Sequence, residues 1–184
     1  MLYAYSQIYE EVQDLIKTHH TRDPKTILED RGVGLIAFKE NTKLLGMYKI
    51  ILGRRFVFYN PYVDYRIRTM VLAHELGHDI YHKVNAQDNL VESEISNIKD
   101  EMEIEANIFA AHLLLDEKQI MDDIMAGYTY NELASIYEVD PNLMIFKLNE
   151  MRRMGMPIRG GEITKAGFFK DIDGTDMKNF EIYE

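Results

Sequence analysis

His74, Glu75 and His78 stand in the stretch VLAHELGHDIYH (71–82) in the pattern H-E-x-x-H. Four residues along an α-helix rise about 6 Å and return nearly to the same face, so the two imidazoles can aim at one point. Zinc takes neutral imidazole nitrogen at about 2.0–2.1 Å, and one helix turn supplies two such ligands without strain. Glu75, about 100° around the helix from His74, is poorly placed to ligate the same ion but can reach a water beside it. A carboxylate there can take that water's proton and later hand it to a leaving amine. The chemistry this spacing allows is metal-assisted hydrolysis of a peptide bond. The competing reading is a core helix whose histidines only hydrogen-bond to their neighbours.

A catalytic zinc needs a third protein ligand and an open position. His82 is one candidate, at i+4 from His78. But the ~12 Å from His74 to His82 on a straight helix is too far for all three to converge. It fits better at the helix end, or in support of a ligand. The segment DEMEIEAN (100–107) offers carboxylates instead. Glu103 shares a face with Ala106, Asn107 and Ala110, and the small alanines would let this helix approach the first closely. Glu105, about 200° from Glu103, points towards the other side and is the runner-up. Asn107 could hold a ligand histidine by its second ring nitrogen. Gly77 costs about 1 kcal/mol against Ala in a helix, so its place implies close packing or substrate approach.

These residues need positioning elements. Ile8, Val12, Leu15 and Ile16 recur at helical spacing and predict a helix over 5–18, with a short one after Pro24. GVGLIAF (32–38), LLGMYKIIL (44–52) and FVFYN (56–60) read as three strands, with turns at 39–43 and 53–55. They are expected to form a small antiparallel meander. Asp64 is the expected N-cap of the H-E-x-x-H helix, which should run to about residue 84. A polar loop is expected over 85–97 and a helix over 98–115. Asp116 with Gln119, and Thr129 with Glu132, look like capping boxes for helices 117–126 and 130–138. Asp140 followed by Pro141 opens a last helix, to about residue 154.

The bulk numbers fit one compact domain with its own core and room for a small appended unit. The 184 residues suffice for one core, and 46% hydrophobic with 28% charged residues is ordinary for a globular protein. A net charge of −10 argues against broad phosphate-backbone binding, so direct DNA contact is not expected. No apolar run reaches the ~18 residues of a membrane span. The start has neither a basic nor an apolar signal region. Without cysteine, any metal must be held by His and carboxylates. The expected location is the cytoplasm.

VLAHELGHDIYH followed by EIEANIFAAHLLL resembles the ImmA/IrrE family of metallopeptidases, and FVFYNPYVDYRIRTM ahead of them matches as well. The resemblance covers roughly residues 5–150. It implies a zincin-like α+β fold: the small antiparallel three-stranded sheet packed on an active-site helix, then a C-terminal helical bundle. The corresponding division is a metallopeptidase core over 1–126, a helix-turn-helix-like subdomain over 127–154 and a tail over 155–184. By position, the resemblance makes His74, His78 and Glu103 the zinc ligands and Glu75 the general base. Asn107 stands where related zincins often carry Asp.

The resemblance further implies a zinc endopeptidase of a phage, mobile element or bacterial host, cutting a helix-turn-helix repressor to relieve repression. The alternative is a non-catalytic zincin-fold antirepressor or sensor module that acts by protein binding. Glu75 separates the two, because a binding module has no use for a base. For the oxyanion donor, His82, Tyr128 and Tyr130 stay open and His112 fits poorly.

Overall fold

The computed structural model describes residues 5–83 and 95–158. Seven helices and three strands run through them: α1 (Tyr5–His19), α2 (Pro24–Asp30), β1 (Gly34–Ala37), β2 (Gly46–Ile51), β3 (Arg54–Tyr59), α3 (Tyr65–Tyr81), α4 (Ile95–Leu114), α5 (Glu117–Met125), α6 (Tyr130–Ile136) and α7 (Pro141–Arg153). The loop expected over 85–97 lies largely outside the described residues, as does most of the tail.

The sheet corrects one expectation. It is mixed, with order β1-β3-β2, and β1 pairs with β3 in parallel. Only β2 and β3 form an antiparallel hairpin. Its turn is Leu52-Gly53, with φ of 50° and 74°. Two positive φ values match the twist of a two-residue hairpin, which fixes β3 beside β2. The 38–45 connection before β2 carries no such turn. It is long enough to cross the roughly 10 Å of two strand spacings, so β1 ends up on the far side of β3. One consequence is that β2 is an edge strand.

The caps lie where side-chain chemistry puts them. Asp64 accepts from the Arg66 N–H and starts α3, which ends at Tyr81 with His82 as C-cap. Asp116 accepts from the Lys118 and Gln119 N–H groups. Thr129 and Glu132 form a reciprocal capping box. Asp140 caps α7 ahead of Pro141.

α3 is the central element. Met70, Val71, Leu72, Ala73, Leu76 and Gly77 are all buried on it. A helix with apolar residues on every side has to be covered on every side. The sheet covers one side and α4 another. Leu133, Ala134, Leu143, Met144 and Met151 of α6 and α7 join the same apolar cluster as Ile8 and Val12 of α1. Asp79 is fully buried on α3, with Arg31 at 3.0 Å and Arg55 at 2.8 Å. These two ion pairs tie α3 to the end of α2 and to β3. Among the described residues, no helix is long and apolar enough to cross a membrane.

Candidate functional site

α3 and α4 meet where small residues allow it. A β-carbon on Gly77 would lie 3.0 Å from the Ala106 Cα and 3.3 Å from the Phe109 ring. The glycine therefore serves close helix packing. This contact sets the His74–His78 face of α3 against the Glu103 face of α4.

The His74 and His78 Nε2 atoms lie 3.1 Å apart. A Glu103 oxygen stands 3.4 Å from the first and the other 3.8 Å from the second. One ligand atom from each residue falls within 4.8 Å of the other two. Tetrahedral ligands at 2.0–2.1 Å from zinc are separated by roughly 3.3 Å, so the spacing fits a single cation. The donor chemistry fits as well. The His74 Nδ1 faces the Asn107 Oδ1 at 2.9 Å. An amide oxygen only accepts, so the proton sits on Nδ1 and leaves Nε2 with its lone pair towards the cluster. Burial works to lower the His74 pKa, but the Glu103 hydrogen bond, the Glu75 and Glu103 charges and Asn107 outweigh it and raise it. The site thus draws positive charge.

Glu75 belongs to the same cavity and not to the ligand cluster. It is 7% exposed. Burial pushes its carboxyl up to about 7, and the charge on Glu103 adds to this, while His74 and a hydrogen bond from the Tyr48 backbone N–H pull it down. A β-carbon on Gly46 would meet the Glu75 Oε1 at 3.1 Å and Val71 at 2.3 Å. Gly46 and Tyr48 of the edge strand therefore fix where this carboxylate sits. Sequence reading missed both. The signal is a glycine inside a strand, which often marks a close approach.

The cavity measures about 500 Å³ and is lined by residues 43–48 with Val71, His74, Glu75, His78, Met102 and Glu103. One wall is the β2 edge, whose other side is paired to β3. His82 also borders the cavity. Its Nδ1 lies 2.8 Å from the Nδ1 of His78, on the side of that ring away from the cluster. Glu105, the runner-up ligand, lies outside the cluster of His74, His78 and Glu103. It is 1% exposed and sits 3.0 Å from the His82 Nε2. Of the residues weighed as oxyanion donors, His112 is buried beside Lys147, away from the cavity. Tyr128 and Tyr130 are about half exposed and do not line the cavity.

A helix pair carrying this cluster, with a buried acid at its side, defines the class. The chain belongs to the peptidase family described as the IrrE N-terminal-like domain, whose model matches residues 25–149. Metallopeptidase ImmA of Bacillus subtilis (strain 168) is 24% identical over 177 residues, covering 90% of this chain and 98% of that protein. The uncharacterized immunity region protein 2 of Bacillus phage phi105 is 28% identical over 149 residues, covering 80% of this chain and 94% of that protein. Membership implies a metal ion, and among the described residues His74, His78 and Glu103 could hold one.

Proposed function

We propose that this chain is a zinc-dependent endopeptidase of zincin-like fold, acting in the cytoplasm on a helix-turn-helix repressor of a phage or mobile element. His74, His78 and Glu103 are the zinc ligands and Glu75 is the general base. The observation that carries this is the division of labour among the acids. Glu103 closes the histidine pair into a cluster, while Glu75 stands beside it in the cavity, held by the edge strand. The metallopeptidase and immunity-region names of the two relatives support the reaction and its setting.

Zinc held there would supply Lewis acidity towards water and the scissile carbonyl. The chain's own residues do the rest. An extended substrate lies along the β2 edge that lines the cavity, in the manner of peptides that add to a sheet edge. Its side chains meet Leu44, Met47 and Met102 in the cavity wall. Glu75, held beside the cluster by the Tyr48 backbone N–H, takes a proton from the attacking water and returns it to the leaving nitrogen.

The test is incubation with helix-turn-helix proteins drawn from the gene's own neighbourhood, followed by mass spectrometry. The zinc-loaded chain should cut one of them, and chelation should stop the cutting. Glu75→Gln should slow it by roughly 10²–10⁴-fold. A zinc-bound Glu75→Gln variant that relieves repression as well as the parent would instead support the binding-only antirepressor.

A further inference from the structure

The pair His82–Glu105 is not needed to complete the metal cluster, yet both side chains are about 1% exposed and directly joined. Burying an ionisable pair is costly unless every polar atom has a use. The geometry assigns that use through a chain of forced hydrogen-bond directions. A carboxylate only accepts, so the 3.0 Å contact requires a proton on the His82 Nε2. Neutral His82 then has only a lone pair on Nδ1. The His78 Nδ1, 2.8 Å away, must be the donor in that contact. With its proton on Nδ1, His78 turns an unprotonated Nε2 towards His74 and Glu103.

We propose that His82 and Glu105 are positioning residues that lock the His78 ring in the orientation and tautomer able to bind a metal. Asn107 does the same for His74 through a contact of 2.9 Å. The two ligand rings are thus set by different devices, an amide for one and a histidine–glutamate relay for the other. The relay reaches past the C-terminal end of α3 because His82 is its cap, with φ −118° and outside the helical conformation.

This inference rests on the reading of His78 as a ligand, and its test separates the two. Long-range ¹H–¹⁵N correlation spectra of the metal-free full chain report which ring nitrogen of His78 carries the proton. The parent should show the Nδ1–H form. Glu105→Gln keeps the shape but can donate as well as accept, so it frees the direction of the relay, and the Nε2–H form should appear. Glu105→Leu should shift the tautomer in the same way. Zinc affinity, read by competition with a chromophoric chelator, should fall about 10–100-fold in Glu105→Gln. A predominant Nε2–H form of His78 in the folded parent would overturn the proposal. So would a Glu105→Gln variant with unchanged tautomer and unchanged affinity. If either variant fails to fold, the parent spectrum decides alone. A parent that binds no zinc while showing the Nδ1–H form would count against the metallopeptidase reading and leave the relay standing.

Discussion

Gly77 and Ala106 touch backbone to backbone: a β-carbon on the glycine would stand 3.0 Å from the alanine's Cα. Since α3 carries two of the candidate ligands and α4 the third, this contact sets the width of the metal cluster. Gly77→Leu should therefore act on metal binding without touching a ligand. Overpacking of this kind costs about 1–3 kcal/mol, partly offset by the roughly 0.8–1 kcal/mol gained in helix propensity. The expected outcome is a modest loss in urea denaturation alongside a clear loss of zinc affinity. Unchanged affinity would mean that the helix spacing does not govern the cluster.

Asp79 is the ionic anchor of α3. It is fully buried, and Arg31 and Arg55 share its two oxygens. Either arginine alone leaves the carboxylate paired. Replacing both with Met leaves it buried and uncompensated, which should cost about 3–5 kcal/mol. Urea denaturation of the two single variants and the double variant should show a double loss larger than the sum of the singles. Strict additivity would contradict a shared anchor.

His112 gives stability a pH dependence apart from the metal site. Burial, then the nearby Lys147 and Arg22 charges, lower its pKa to about 3. Its unfolded value is about 6.5. Between these values the unfolded chain takes up a proton that the folded chain refuses, so stability rises with pH there and is lost as pH falls below about 6.5. From pH 7 to pH 5 this one group should remove about 2 kcal/mol. The metal-free His112→Gln variant should lose less stability than the metal-free parent over that interval, as measured by urea denaturation at both pH values.

The local parts of this structure are legible in the sequence. A four-residue spacing puts His74 and His78 on one helix face, and the alanines of α4 imply the close approach that brings Glu103 to them. Asp64, Thr129 and Asp140 start helices because their side chains meet backbone N–H groups a few residues away. Long-range choices are not written so plainly. The hairpin turn, expected at 53–55, falls at Leu52-Gly53, and Arg54 and Arg55 already belong to β3; the placing of β1 beyond β3 depends on where the 38–45 segment crosses. Angular position on α4 sends Glu105 away from Glu103, and it does leave by another side. There it meets His82, the C-cap of α3, a long-range partner that angular position on α4 does not reveal. The Tyr48 N–H on Glu75 is likewise invisible in sequence, because a backbone donor carries no residue signature.

The claim that matters most is that His74, His78 and Glu103 hold one metal while Glu75 does not. Zinc affinity of the full chain, measured by chelator competition for the parent, Glu103→Gln and Glu75→Gln, tests it most directly. The parent should bind one zinc per chain, Glu103→Gln should lose more than the roughly 10–100-fold that removal of a supporting residue costs, and Glu75→Gln should bind nearly as the parent does. Parent-like binding in Glu103→Gln, or a matching collapse in Glu75→Gln, would contradict it.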